Sequence, residues 1–283
     1  MAGKIQIITD SMTDVPQDIK DKYQIKVVAL KVNFGEKEYR DGVDLTYAEF
    51  YKKLSEAKEL PKTSQITPPE FVEVFKQGLA EGKEILCING SSRASGTHQS
   101  AVIAKNELGD DKIEVFDTMS VCFGGGMFVY EAAKMADAGA TMQEILKHLN
   151  SLKPKADAVF TVDTLEYLKK GGRLKPMKAM IANILSIRPI LTITDGLVET
   201  IGKVRGSKKV SNRVMELVKQ RGGDFSDKSI ALAISAPTPE RIEILKQEAK
   251  AEFNPKEIIV SEIGCTVGTH IGPGAWGFFY YKQ

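Results

Sequence analysis

The chain has 283 residues, 42% of them apolar, a composition that can bury a substantial core and that favours two ordinary domains over one large one. Its 39 basic and 37 acidic residues leave a formal net charge of +2, which excludes the strong positive field of most nucleic-acid-binding proteins. No window approaches eighteen apolar residues, so we expect no membrane-spanning helix, and the apolar run near the N-terminus is too short for a signal peptide.

Residues 1–155 alternate short β-branched runs with longer amphipathic runs, as expected of strands and helices in an α/β domain. The predicted strands are KIQIIT, IKVVALKVNF, EILCIN and KIEVFD. The predicted helices between them are AEFYKKLSEA, PPEFVEVFKQGLAEG, THQSAVIAKNEL and GMFVYEAAKMADAG. A helix stopped by Pro154 then closes this half, so we place a domain boundary between residues 155 and 156.

Residues 156–283 are predicted to form a second series of strands and helices. The strand ADAVFTV precedes the helix TLEYLKKGGRL, which ends in the Gly171-Gly172 pair expected at a helix C-cap. RPILTITDGLVETIGKVRG predicts a β-hairpin, because Asp195-Gly196 separates two alternating runs. Two further helix–strand pairs and an aromatic closing strand complete the chain. The fold class is therefore α/β in two domains.

Loops rich in hydroxyl groups follow several predicted strands just before helices. Thr63 and Ser64 precede a helix that begins at about Pro68, and the loop NGSSRASGTHQSA places Ser95 and Thr97 before another. A helix N-terminus carries free N–H groups and a partial positive charge, so hydroxyl donors there suit a small anion. Capping of the helices explains the same residues without any ligand.

The segment CTVGTHIGPGAWG contains the string G-x-G-x-x-G, which is typical of dinucleotide-binding sites. Only six residues follow Gly277, too few for the helix and strand that such a site requires. We therefore interpret the segment as a glycine-rich turn that leads into the last strand and presents His270.

Other cofactor and metal sites lack their sequence signatures. There is no phosphate-binding G-x-x-x-x-G-K-[ST] and no H-E-x-x-H, and the chain has only three histidines. Cys87, Cys122 and Cys265 stand far apart without a C-x-x-C pair, so neither a disulfide framework nor a zinc site is indicated. We expect no metal and no cofactor, and a reducing, cytoplasmic environment.

Six motifs in register carry a resemblance to a known family. They are TDSMTDVP, PKTSQITPPEF, SSRASGTHQSA, TLEYLKKGGRL, RPILTITDG and IGCTVGTHIGPGAWG, and together they span almost the whole chain. In this order they closely resemble the DegV family of bacterial lipid-binding proteins. The resemblance implies two α/β domains with a lipid tunnel at and beside their junction.

The resemblance also implies a function. Family members enclose a long-chain fatty acid and present its carboxylate to a separate ATP-dependent fatty acid kinase. Motif by motif, the ligands of the carboxylate would be Thr63, Ser95 and His270, with Ser64 and Thr97 beside them. Arg205 matches an arginine near the ligand head, and Arg173 matches a position associated with the kinase, where we expect an outward-pointing side chain.

Two other functions stay open at this stage. An acyl hydrolase could use Ser95 and His270, although the G-x-S-x-G elbow of such enzymes is missing. A lipid sensor without a kinase partner would have the same sequence features as a carrier. Transient contact with a membrane surface during lipid transfer is compatible with each of these functions. The apolar segments FGGGMFVYEAAKM and KPMKAMIANILSI are candidates for the tunnel lining.

Overall fold

The computed structural model describes residues 4–176, 187–206 and 209–283. Ten helices lie within these ranges: α1 (Gln17–Tyr23), α2 (Tyr47–Glu56), α3 (Pro68–Ala80), α4 (Thr97–Leu108), α5 (Phe123–Asp137), α6 (Met142–Leu152), α7 (Glu166–Gly171), α8 (Val210–Gly222), α9 (Pro239–Phe253) and α10 (Cys265–Ile271). The strands are β1 (Ile5–Asp10), β2 (Lys26–Val28), β3 (Lys31–Phe34), β4 (Lys37–Arg40), β5 (Lys62–Ser64), β6 (Glu84–Asn89), β7 (Ile113–Asp117), β8 (Ala156–Thr161), β9 (Ile187–Thr194), β10 (Leu197–Arg205), β11 (Ser229–Ile234), β12 (Glu257–Glu262) and β13 (Trp276–Tyr281).

The strands form three sheets. A parallel sheet has the order β2-β1-β6-β7, and a mixed six-stranded sheet has the order β10-β9-β8-β13-β11-β12. A small antiparallel sheet, β4-β3-β5, lies beside them. The α/β class predicted from the sequence is confirmed. The two larger sheets separate between residues 155 and 156, where we propose the domain boundary.

Local sequence determines where several helices begin. Thr46 and Thr141 each accept a hydrogen bond from the backbone N–H three residues later, and the glutamate at that later position accepts one in return. These capping boxes satisfy N–H groups that the first turn of a helix leaves free. The predicted hairpin is also confirmed, because Asp195 and Gly196 both have positive φ in the turn between β9 and β10.

One detail differs from the sequence-based expectation. The run IKVVALKVNF is two strands, β2 and β3, which belong to different sheets and are separated by the buried Leu30. Helix α5 contacts β1 and β6 on one side and β8, β11 and β13 on the other, so it is a buried layer between the two large sheets. Within the described residues, no helix is both long and apolar enough to span a bilayer.

Candidate functional site

An apolar cavity lies where elements of both large sheets meet. Its volume is about 150 Å³, about ten times the space that one water molecule requires. The rings of Phe160 and Phe279 are stacked 6.2 Å apart in its wall. Other apolar residues of the wall are Met12, Leu30, Ala94, Val121, Cys122, Leu168, Ile193, Leu197, Val198, Ala233, Ile263, Val267, Ile271, Ala275 and Trp276.

His270 and Thr63 meet at the cavity wall. A hydrogen bond of 2.9 Å joins His270 Nε2 to Thr63 Oγ1, although the two residues are 207 positions apart. Nδ1 of the same ring is buried and has no hydrogen-bond partner among the described residues. Burial, together with the nearby Arg173 guanidinium, lowers the pKa of His270 to about 4, so the imidazole is neutral at pH 7.

Helix α10, which carries His270, is held at its N-terminus by acids from the first half of the chain. Asp41 accepts hydrogen bonds from the N–H groups of Cys265 and Thr266, and Asp14 accepts one from Gly264. Carboxylates are favourable there because the first turn presents free N–H groups and a partial positive charge. Burial, and next the charge of Asp41, raise the pKa of Asp14 well above its usual range.

The interpretation of this segment as a glycine-rich turn was therefore wrong for residues 265–271, which are helical. β-Branched residues and glycine are poor helix formers, so the local sequence gave little sign of a helix. Tertiary packing requires the glycine at 268, because a Cβ there would lie 2.7 Å from Phe50 Cε1 and 2.8 Å from the Tyr51 hydroxyl. Gly272 and Gly274, both at positive φ, form the turn between α10 and β13.

Ser95 reaches the cavity from the loop between β6 and α4. Its hydroxyl is 3.0 Å from the Thr97 hydroxyl and accepts a hydrogen bond from the Thr97 N–H. The loop is attached to the β9–β10 hairpin, because the Ser91 hydroxyl donates to the carbonyl of Gly196 over 2.8 Å. The N-terminal end of α4 is thus held against the six-stranded sheet.

Arg173 also lines the cavity, contrary to the expectation that its side chain points outward. Its Nε donates to the carbonyl of Ala94 over 2.9 Å, and its Nη1 donates to the carbonyl of Gly171 over 2.6 Å. The side chain folds back because these two carbonyls lie within reach of one guanidinium. Among the described residues of the cavity wall, Arg173 is the only one with a formally charged side chain at neutral pH.

Comparison with known proteins identifies the family of this chain. The family model described as uncharacterised proteins of the DegV family matches residues 4–283. This chain belongs to the DegV family. It is 40% identical over 280 residues to a DegV domain-containing protein of Caldanaerobacter subterraneus, a match that covers 99% of both chains.

Solved structures of DegV proteins have the same fold. A DegV family protein from Thermus thermophilus, described as binding fatty acid, is 32% identical, with a TM-score of 0.91 over 99% of this chain and 100% of that one. A stearic acid-binding protein from Eubacterium ventriosum is 25% identical, with a TM-score of 0.90 over 99% of this chain and 98% of that one.

The other site residues inferred from the DegV resemblance lie outside the cavity wall. Ser64 accepts a hydrogen bond from the amide of Asn33, and Thr97 is buried behind Ser95. Arg205 is exposed at the end of β10. Of the two expected lining segments, FGGGMFVYEAAKM forms most of α5 and contributes no residue to the wall, whereas most of KPMKAMIANILSI, residues 177–186, lies outside the described residues.

Two further contributors to the site are not among the residues that the family resemblance implies. Thr266 lines the cavity one helical turn before His270, and its buried hydroxyl has no hydrogen-bond partner among the described residues. Gly171 packs directly on the His270 ring, where a Cβ would overlap Nδ1. The helical spacing of residues 266 and 270 would have linked the first of these to the site, had the helix been recognised.

The hydrogen bonds do not form the Ser–His pair of an acyl hydrolase. Within residues 4–176, 187–206 and 209–283, the Ser95 side chain pairs with Thr97 and the His270 ring pairs with Thr63. An imidazole with a pKa of about 4 is also a weak general base at neutral pH. The same described ranges contain no group of three or more His, Cys, Asp or Glu side chains arranged to hold a metal ion.

Proposed function

We propose that this DegV family protein binds one long-chain fatty acid, with its carboxylate at Thr63, Ser95 and His270 and its acyl chain along the apolar wall of the cavity. The observation that carries the proposal is that these three side chains line one mostly apolar cavity together with Thr266, whose buried hydroxyl has no hydrogen-bond partner among the described residues. A polar head and a long apolar tail match such a site.

The charge of the site favours a carboxylate over a polyphosphate. Arg173 is the only formally charged side chain in the described wall, and its guanidinium already binds two backbone carbonyls. Hydroxyl groups and a neutral imidazole supply hydrogen bonds without a large positive charge. These donors suit a singly charged head group, whereas nucleotide phosphates are usually bound by several cations or a P-loop.

The apolar tail supplies the driving force for binding. About fifteen buried methylenes contribute roughly 12 kcal/mol of gross transfer free energy, at about 0.8 kcal/mol each. Ordering of the chain and desolvation of the carboxylate reduce that gain. Fatty acid binding by the Thermus thermophilus protein, and stearic acid binding by the Eubacterium ventriosum protein, support this class of ligand.

The first experiment is the identification of co-purified lipid. We expect native mass spectrometry of the intact protein to show one bound fatty acid per chain, and extraction with organic solvent to release it for chemical identification. Folded protein that yields no acyl species, and that binds no added stearate in calorimetry, would contradict the proposal.

We further propose that the bound fatty acid is presented, in the cytoplasm, to an ATP-dependent kinase that forms an acyl phosphate. This step is carried over from the family resemblance, and the three buried free cysteines fit a reducing compartment. The test incubates the loaded protein with a fatty acid kinase and ATP. Acyl phosphate should form only when both proteins are present. Lipid binding without any phosphorylation would favour a lipid sensor that has no kinase partner.

A further inference from the structure

One guanidinium connects the two sides of the proposed carboxylate site. Arg173 binds the carbonyl of Ala94, which immediately precedes Ser95 in the chain. It also binds the carbonyl of Gly171, the residue that packs on the His270 ring. Ser95 belongs to a loop of the parallel sheet and His270 to α10 near the end of the chain, so no local structure joins them.

The backbone of Arg173 is itself anchored. Its carbonyl accepts a hydrogen bond from the Val198 N–H, and the Lys175 N–H donates to the Val198 carbonyl, which attaches this segment to β10. The Ser95 loop rests on the same hairpin through Ser91 and Gly196. The backbone of Arg173 is therefore fixed, and its guanidinium stays within reach of both carbonyls.

The other charged side chains around α10 are exposed, paired or at the far end of the helix from His270. Among the described residues, the elements most closely packed against α10 are α2, α7, β3, β5 and the short turn after β1. Their charged side chains are Glu49, Lys52, Lys53, Glu56, Glu166, Lys169, Lys170 and Lys62, which are exposed, and Lys31, which pairs with Glu38 and Glu70. Tyr51 packs on Gly268 and Tyr167 on Gly272, while the buried carboxyls of Asp14 and Asp41 lie at the opposite end of the helix.

We propose that Arg173 is a positioning residue, which holds the Ser95 loop and His270 in the arrangement that a carboxylate requires. This inference rests on the proposed function, because the ligand is the proposed fatty acid. The hydrogen bonds of Arg173 from which it is argued do not depend on that function. It predicts that loss of the guanidinium changes the environment of His270 even in fatty-acid-free protein. It differs from a contact with the kinase because the kinase is not needed for the effect.

The test compares Arg173→Met, which keeps the stem but removes the donors, with Arg173→Lys, which keeps the charge but has no planar fork to bind two carbonyls. Lys175→Met is the matched control, since it removes a cation two residues away that pairs with Asp195 and Glu199 instead. The readouts are the His270 pKa from NMR titration of delipidated protein and the stearate affinity from calorimetry.

We expect Arg173→Met to raise the His270 pKa by roughly one unit, because a neighbouring positive charge is removed. We also expect it to weaken stearate binding at least tenfold. Arg173→Lys should restore the pKa but leave the affinity low, and Lys175→Met should change neither.

Wild-type affinity in both Arg173 variants would overturn the proposal, whatever the pKa values. If Arg173→Met does not fold, wild-type stearate affinity in Arg173→Lys alone would overturn the proposal. If the wild-type protein binds no fatty acid, the proposed function fails, and the NMR comparison of Arg173→Met with Lys175→Met still decides whether Arg173 is coupled to His270. An unchanged His270 pKa in Arg173→Met would then overturn the positioning role.

Discussion

Gly171 offers a direct test of whether the placement of His270 controls ligand binding. A Cβ at this position would overlap Nδ1 of the ring and would lie 3.2 Å from Cε1 and 3.3 Å from Cγ. The backbone of Gly171 is the last turn of α7 and is not at positive φ, so alanine introduces the methyl group without backbone strain. The substitution Gly171→Ala therefore acts mainly on the imidazole.

The expected size of the effect follows from the contacts. The ring has to move by roughly 1 Å to reach van der Waals distance from the new methyl group. Such a movement stretches the bond of 2.9 Å between His270 and Thr63 towards the 3.5 Å limit of a hydrogen bond. The same movement displaces the imidazole from the proposed position of the carboxylate, and loss of a hydrogen bond to the anion costs about 1.5–3 kcal/mol, which corresponds to a roughly ten- to hundredfold weaker affinity.

Stability should change much less than affinity in Gly171→Ala. Alanine is favoured over glycine in a helix by about 0.5–1 kcal/mol, which offsets part of the loss of the Thr63 hydrogen bond. Gly172→Ala is the matched control. Gly172 is at φ +69°, and no atom lies within 4 Å of the point that a Cβ would occupy, so alanine should cost about 1–2 kcal/mol of stability and leave His270 in place.

Stearate titration by calorimetry and urea unfolding of delipidated protein measure the two effects. We expect Gly171→Ala to lose affinity with little change in the free energy of unfolding, and Gly172→Ala to lose stability with wild-type affinity. Wild-type affinity in Gly171→Ala, with an unmoved His270 signal in NMR, would refute the reasoning. So would equal losses of affinity in the two variants.

The remaining predictions concern the carboxylate and pH. Thr63→Val and His270→Gln should each weaken stearate binding about ten- to hundredfold, and a double-mutant cycle should show non-additive losses because the two side chains share one hydrogen bond. Ser95→Ala should weaken stearate binding about tenfold but should hardly change the binding of methyl stearate, which lacks the charged head; equal losses for both ligands would assign Ser95 a structural role. The folded pKa of His270, about 4, lies below its unfolded value of 6.5, so the contribution of His270 to the free energy of unfolding falls as the pH drops from about 6.5 to 4. Asp10 has the opposite effect between pH 6 and 3.8, because burial raises its pKa to about 6. Urea unfolding at pH 7.5 and 4.5 should therefore show His270→Gln gaining stability relative to the wild type on acidification, by at most about 3 kcal/mol; parallel pH profiles would contradict the lowered pKa.

The sequence by itself determined the elements that depend on neighbouring residues. Hydrophobic periodicity predicted the α/β class, Asp195-Gly196 predicted the hairpin turn, and the Gly171-Gly172 pair predicted the end of α7. Each of these features is set by backbone conformations and side-chain spacings within a few residues. The family resemblance added Thr63, Ser95 and His270, three residues that the structure places on the wall of one cavity.

Only the tertiary structure decided what distant residues do to one another. Helix α10 forms from a segment of low helix propensity because Asp14 and Asp41 bind its first N–H groups and Gly268 fits against α2. Arg173 turns inward because the carbonyl of Ala94, 79 residues earlier in the chain, comes within reach of its guanidinium beside the carbonyl of the neighbouring Gly171. Such contacts join positions up to about 250 residues apart, and their energies depend on burial, which no local pattern in the sequence specifies.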